Sequence, residues 1–334
     1  MPPKVSIIVP CYNEQSTIRL LLEALLEQTF PRAEMEVIIA DGLSRDGTRE
    51  AISAFQTDYP DLDVIVVDNP RRSIPSAVNC AIQNSRGEII VRLDAHSKPY
   101  PDYVQNCVDA LEQGRGDTIG GVWEIHPGAP TWIARSIAVA AAHPLGVGDA
   151  FYRHTKVAAE VDTVPFGSFR RSLVDRVGYF DESLLTNEDY EFYVRVRNAG
   201  GRIWLDPAIR SVYFARSTLG QLARQYRRYG FWKWRMLRRY PKTLRWRQAL
   251  PPLFVCSVIL LGFASIFIPL LGILLALELL LYFSIVLYAG LRASVRQRKG
   301  YLLPGLLLTI PIMHVSWGGG FLWSIITAGF QKHG

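Results

Sequence analysis

Asp94 and His96 stand two residues apart at the end of an apolar run, in EIIVRLDAHSKPY (88–100). A strand ending in acid-x-acid is a common way to hold a divalent cation against a diphosphate; here an imidazole replaces the second acid. A neutral imidazole nitrogen suits later first-row ions such as Mn²⁺ better than Mg²⁺, which prefers oxygen. The bland alternative is a strand that ends in a polar turn. Asp41 and Asp46 sit on a glycine-containing loop, IIADGLSRDGT (38–48), which an ordinary turn with a helix cap at Ser44 or Asp46 would also explain. Glu188 and Asp189 are adjacent in NEDYEF (187–192), where a helix is expected to begin. The helix dipole there keeps a carboxylate ionised and able to accept a proton, although helix starts favour acids in any case. Arg71 or Arg72, in NPRRS (69–73), could neutralise charge building on a phosphate leaving group, or be a solvated basic turn. His126, His143 and His154 show no ligand spacing and read as surface or packing residues.

The elements that must position these groups read as alternating strand and helix over residues 1–125. Strands are predicted at 5–10, 36–41, 63–68, 88–94 and 119–125, several of them near-continuous apolar runs, as expected of strands buried on both faces. Ile18, Leu21, Leu22, Leu25 and Leu26 recur at helical spacing, and Pro75 opens another helix that Gly87 is expected to close. These features predict an α/β fold with a doubly wound, mostly parallel sheet, whose ligands bind at the C-terminal strand edges. The loops VPCYNE, ADGLSRDGT, NPRRS and LDAHS all leave such edges. Further on, TWIARSIAVAAAH (131–143) and NEDYEFYVRVRNAGG (187–201) read as helices, the latter ended by Gly200, while FGSFRRSLVDRVG (166–178) reads as a loop then a helix.

The net charge of +7 is uneven. No acid occurs between Pro207 and Leu277, whereas Arg210 to Arg247 supplies 12 Lys or Arg, leaving 25 basic against 30 acidic residues elsewhere. This basic, aromatic segment leads directly into apolar sequence, so anionic lipid headgroups are the expected partner, not nucleic acid. Ala249 to Leu291 holds one charge, Glu278, which suits two spans broken near Pro269. Tyr301 to Phe330 suits a third, which Gly318–Gly320 would kink or split into a re-entrant pair. Arg292, Arg296, Arg298 and Lys299 between them place that loop, and with it the N-terminal domain, on the cytoplasmic side. The expected division is 1–215 catalytic domain, 216–248 membrane-surface helices and 249–334 transmembrane region of about three spans. The four cysteines include no Cys-x-x-Cys pair, which argues against a zinc knuckle or a disulfide framework. The short apolar start is not a signal-peptide core.

VPCYNE, ADGLSRDGT, RLDAHSKP, VDTVPFGSFRR, VGYFDE, NEDYEF and QYRRYGFWK occur in this order over about residues 4–240. Together they resemble the family 2 glycosyltransferases of GT-A fold, most of all the membrane-anchored succinoglycan-biosynthesis type. The resemblance implies that Pro10 and Glu14 border the nucleobase and that Asp41 contacts base or ribose, with Arg72 and Asp94 also on the donor. It implies Asp94 and His96 as metal ligands and Asp189 as the catalytic base of an inverting enzyme. Gly167, Ser168, Glu188, Gln225, Arg228 and Tyr229 fall on the acceptor side. In QYRRY (225–229), Tyr229 stands where polysaccharide synthases carry Trp, which argues against processive synthesis. The implied activity is transfer of a hexose from a nucleotide diphosphate sugar, a UDP-sugar being expected, to a lipid-linked saccharide at the cytoplasmic face of the inner membrane. A divalent metal, Mn²⁺ before Mg²⁺, a polyprenyl-linked acceptor, membrane lipids and polysaccharide-assembly partners follow from it. The alternatives are a polyprenyl-monophosphate acceptor or, from another class, an inactive transferase-like subunit of an export complex.

Overall fold

A computed structural model describes residues 2–330, with side chains to 328. Its strands are β1 (Val5–Cys11), β2 (Met35–Asp41), β3 (Asp63–Asp68), β4 (Ile89–Arg92), β5 (Lys98–Pro99), β6 (Thr118–Pro127), β7 (Ala159–Glu160), β8 (Ser168–Arg170) and β9 (Ile203–Ala215). The helices are α1 (Ile18–Leu26), α2 (Thr48–Asp58), α3 (Ile74–Asn84), α4 (Tyr103–Glu112), α5 (Trp132–Ala142), α6 (Pro144–Val147), α7 (Ser172–Val177), α8 (Glu188–Asn198), α9 (Leu219–Leu237), α10 (Trp246–Ala264), α11 (Pro269–Gln297) and α12 (Leu302–Phe330).

The chain forms two compact units, residues 1–124 with 151–213, and residues 125–150 with those from 214 onward. Residues 125–150, which sequence order alone puts with the first domain, therefore pack among the C-terminal helices. The sheet runs β3-β2-β1-β4-β8-β6-β9-β5, with β7 on β9. Its first four strands are parallel, and β8 then pairs antiparallel with β4. Continuous apolar runs make this parallel half possible: β1, β2 and β4 bury both faces, one against α1, α2 and α4, the other against α3 and α8. Strand order turns at β1, with β2 on one side and β4 on the other, so the carboxyl ends of these strands frame a binding crevice.

Gly87 and Ser168–Arg170 depart from the sequence expectation. Gly87 does not close α3, which ends at Asn84. A Cβ at Gly87 would come within 2.7 Å of the Ser6 backbone nitrogen, so this glycine serves close packing against β1. FGSFRR is not simply a loop; Ser168–Arg170 is a three-residue strand, too short to show periodicity.

In the second unit, α10, α11 and α12 are each long and apolar enough to cross a membrane. α12 is one continuous helix through Gly318–Gly320. Its glycines admit neighbours instead of breaking it: Cβ atoms at Gly318 and Gly320 would lie 2.5 Å from the Pro251 oxygen and 2.1 Å from the Arg227 oxygen.

Candidate active site

The site is built at the carboxyl ends of β1, β2 and β4. Ile89, Ile90 and Val91 are fully buried, which fixes β4 in the middle of the sheet. The chain beyond it makes a tight turn, with the Ser97 backbone N–H and hydroxyl both donating to the Asp94 carbonyl, at 2.9 and 2.7 Å. Strand and turn are thus both present, and the turn presents Asp94 and His96 at the sheet edge. His96 Nδ1 lies 3.1 Å from Glu14 Oε1, across 82 residues of sequence. Thr17 Oγ1 donates to the other oxygen of Glu14, and the Glu14 backbone N–H donates to Thr48 Oγ1 at 2.8 Å. Burial opposes ionisation of Glu14, but the hydrogen bonds from His96 and Thr17 outweigh it and hold the carboxyl below its usual range.

Below this turn is a group of charges that sequence reasoning did not assemble. Arg92, on β4, is 7% exposed, with its guanidinium 3.2 Å from Glu188 Oε1 and 3.6 Å from Asp94 Oδ1. Its Nε has no partner among the described residues. Burial works against the charge on Arg92, but Asp94, Glu188 and Asp189 outweigh it and hold its pKa up. Burial pushes the Glu188 carboxyl up to about 7, with the Asp189 charge adding to the effect and Arg92 opposing it. Burial also raises Asp189, which keeps more of its surface open to solvent than Glu188 does. Asp189 is the second residue of α8, and its Oδ1 accepts the Tyr190 backbone N–H at 2.7 Å. Asn187, just before α8, holds a left-handed backbone with φ of 67° and a buried Nδ2 that has no partner among the described residues. A signal for Arg92 existed: a lone cation inside the apolar run IIVRLD has to meet a carboxylate when that strand is buried.

Pro10, the last residue but one of β1, lies beside Ala40 of β2 and is half-buried. Asp41 ends β2 fully buried, with its carboxylate taken up by the Ser44 backbone N–H at 3.0 Å, the Ser44 hydroxyl and Arg49 Nε at 2.5 Å. It ties the ADGLSRDGT loop together, and Asn13 fastens that loop to the one after β1: its N–H donates to Ser44 Oγ and its Oδ1 accepts from Arg45. Arg71 pairs with Glu182, while Arg72, at φ of 53°, sits 5.8 Å from the centre of the Tyr12 ring. The structure therefore separates the two arginines, and Arg72 is the one beside the loop after β1.

On the acceptor side, Gly167 and Ser168 are buried. A Cβ at Gly167 would meet the Tyr193 hydroxyl at 2.3 Å, and Ser168 pairs with Val91 across β8 and β4. Gln225, Arg228 and Tyr229 lie on α9 in the second unit, where Gln225 Nε2 donates to the Tyr229 hydroxyl at 2.9 Å. Sequence reasoning also missed Arg153 in the first unit, whose guanidinium is 4.9–5.4 Å from the Trp123, Tyr152 and Tyr213 rings.

No three His, Cys, Asp or Glu side chains converge as a closed metal site among the described residues. Asp94 and His96 offer two donors, which suits an ion completed by substrate phosphates and water. Three carboxylates around one guanidinium leave an excess of negative charge that a divalent cation would offset. The Glu14 contact at Nδ1 is the kind that orients a ligating imidazole through its other nitrogen. The residues fit the group.

The chain that builds this sheet edge, with an Asp-x-His turn, a buried arginine and a Glu-Asp pair at a helix start, has counterparts among known proteins. The family model for glycosyl transferase family 2 matches residues 6–178. The chain belongs to that family. This glycosyltransferase is 30% identical over 318 residues to the succinoglycan biosynthesis protein ExoA of Rhizobium meliloti, covering 94% of this chain and 93% of that protein. It is 26% identical to the dolichyl N-acetyl-alpha-D-glucosaminyl phosphate 3-beta-D-2,3-diacetamido-2,3-dideoxy-beta-D-glucuronosyltransferase of Methanococcus voltae, over 81% of this chain and 85% of the other. Among solved structures, the mannosyltransferase PcManGT of Pyrobaculum calidifontis, in complex with GDP-Man and Mn²⁺, shares the fold with a TM-score of 0.61 and 22% identity, over 100% of this chain and 89% of that one. S. aureus TarS 1–349 with UDP-GlcNAc aligns at a TM-score of 0.52 and 15% identity, over 96% and 92%. The glycosyltransferase thus has a GT-A domain followed by a mostly helical region with three apolar helices that could cross a membrane, and it serves glycan biosynthesis.

Proposed function

We propose that this glycosyltransferase is an inverting, divalent-metal-dependent enzyme that moves a hexose from a UDP-sugar to a lipid-linked saccharide at the cytoplasmic face of a membrane. The observation that carries the proposal is the grouping of Asp94, Glu188 and Asp189 about buried Arg92 at the carboxyl edge of the sheet. Asp94 and His96 would hold the metal, which when bound neutralises charge on the departing diphosphate.

The remaining roles belong to the chain's own side chains. Glu14 keeps the His96 ring in place. Asp41 holds Ser44 and Arg49, and through them the loop that would border the nucleoside beside Pro10. Arg72, poised over Tyr12, would meet a diphosphate oxygen. Asp189 takes the proton from the acceptor hydroxyl as that oxygen attacks the anomeric carbon from the face opposite the leaving group. The C1–O bond to the diphosphate breaks, and the nucleoside diphosphate leaves with the electron pair. Burial suits Asp189 to this work, because a carboxylate with raised proton affinity is the better base. Glu188 and Arg92 hold the start of α8 against β4, so that the base stays aligned. Gln225, Arg228 and Tyr229, on a basic aromatic helix, would serve the lipid-borne acceptor.

The proposal is tested with the full chain in lipid nanodiscs, given a panel of labelled nucleotide sugars and polyprenyl-diphosphate-linked acceptors. Labelled lipid that forms with UDP-hexose and inverted anomeric configuration supports it. Transfer to a polyprenyl monophosphate would select the other acceptor class, and retained configuration would reject Asp189 as a simple base. No nucleotide-sugar turnover with any acceptor would favour an organising subunit instead.

A further inference from the structure

We propose that only α10 and α11 cross the bilayer, as a hairpin, and that α12 stays on the face from which α10 enters, lying with α5 and α9 in the interfacial layer. Length and composition qualify α12 as a third span, but its neighbours do not permit it. Within the span-length windows, 6% of the residues of α10 and of α11 are buried in the protein, against 44% for α12.

The contacts of α12 within the second unit extend along most of its length. Gly305 lies against Ser136 of α5, and Gly146 lies against Met313. His314 Nε2 is 2.8 Å from the Leu145 carbonyl, in α6. Gly230 of α9 approaches the Trp317 carbonyl, Gly320 approaches that of Arg227, and the Trp234 and Phe321 rings are 5.5 Å apart. From residue 305 to 321 this amounts to about 24 Å of helix at ~1.5 Å per residue. Over the same length α9 carries Arg224, Arg227, Arg228, Lys233 and Arg235 and no acid, and α5 carries exposed Arg135. If α12 spanned the membrane, the helices fastened along it would carry these cations to hydrocarbon depth, where they are most costly. In the interfacial layer the same Arg and Trp side chains are at home, facing anionic headgroups.

The hairpin has the opposite character. α10 and α11 are held together by the Ser257 hydroxyl donating to Glu278 Oε1 at 2.5 Å and by Phe254 stacked on Tyr282 at 4.4 Å. Away from that seam, Ile259, Phe263, Phe267, Ile273, Leu277 and Leu281 are 57–71% exposed. α10, 19 residues, and the uncharged-but-for-Glu278 part of α11, Pro269–Leu291, are about 28 and 34 Å long, a match to a hydrocarbon core of about 30 Å. α12 meets the hairpin towards its open end, through Pro251 and Val255 beside Gly318, Leu303 beside Gly290, and Tyr282 hydrogen-bonded to His314 Nδ1 at 2.9 Å. Two crossings return the chain to its starting face; three would leave its end on the other.

The test is topological and does not depend on which sugar or acceptor the enzyme uses. A fluorescent protein that matures only in the cytoplasm, or alkaline phosphatase active only outside it, is fused to either end of the full chain or inserted between Ile266 and Phe267. Both end fusions should report the same face and the insertion the opposite one. A C-terminal fusion that reports the face of the insertion overturns the proposal. A second measurement covers fusions that disturb folding: Phe267→Cys, Lys299→Cys and a cysteine appended after Gly334, each on a Cys80→Ser, Cys256→Ser background, are exposed to a membrane-impermeant maleimide in intact cells. The appended cysteine should label as Lys299→Cys does; labelling in step with Phe267→Cys refutes the two-crossing arrangement.

Discussion

Glu188→Gln should make the protein more stable at high pH and leave it unchanged at low pH. Burial raises the Glu188 carboxyl from 4.5 to about 7. The folded state therefore binds more protons than the unfolded one between those values, and the stability tied to this group is present below about 4.5 and is lost as pH rises through about 7. Gln has nearly the shape of the protonated acid and does not titrate. At pH 4.5 the two proteins should melt together. By pH 8 the variant should lead by about 3 kcal/mol, from ~1.36 kcal/mol for each pKa unit. For a unit of this size that corresponds to roughly 6–12 °C in Tm. The assay is thermal denaturation of the detergent-solubilised full chain across pH 4.5–8, with EDTA and without donor, because a bound cation would itself favour the ionised acid. The competing effect is loss of the 3.2 Å ion pair with Arg92. If that pair stabilised the fold by more than burial of the charge costs, Gln would be the weaker protein at pH 8. A variant equal to or below the native chain at that pH refutes the reasoning.

Asp189→Asn should keep donor affinity and lower transfer by at least about 100-fold, since only the proton acceptor is removed; near-native turnover would exclude Asp189 as base. In the native enzyme the acid limb of the rate profile should lie above the ordinary aspartate pKa of 3.8, because burial raises Asp189. Glu14→Ala should weaken Mn²⁺ binding by about 10–100-fold, as loss of a partner that orients a ligand does; electron-paramagnetic titration of the full chain with UDP reads this directly, and a loss confined to UDP affinity would instead put Glu14 at the base. His96→Asp should move the preference from Mn²⁺ towards Mg²⁺ in the same titration. Gly230→Val should destabilise the second unit, because a Cβ there would stand 1.9 Å from the Trp317 carbonyl, whereas Gly220→Val, with open space around it, should have little effect on melting.

The sequence by itself determined the parts that depend on local pattern. Uninterrupted apolar runs are stable as strands only where both faces are covered, so VSIIVP, EVIIAD and EIIV specified a parallel core and the edge where its loops gather. Short motifs kept their spacing because turns are local: Asp94 and His96 stand on one turn, and Asp189 lies in the first turn of a helix, as their neighbours in sequence required. Tertiary structure decided which distant charges meet. Glu14 reaches His96 across 82 residues, and Arg92 reaches Glu188 across 96, pairings that no periodicity encodes. Asp41 was legible as a loop acid, but only the fold shows its carboxylate consumed by Ser44 and Arg49. The division of 125–150 from the first unit and the glycine-lined packing of α12 on α9 were equally out of reach. Hydropathy records what a segment can dissolve in, whereas burial depends on which other surfaces the folded chain brings against it.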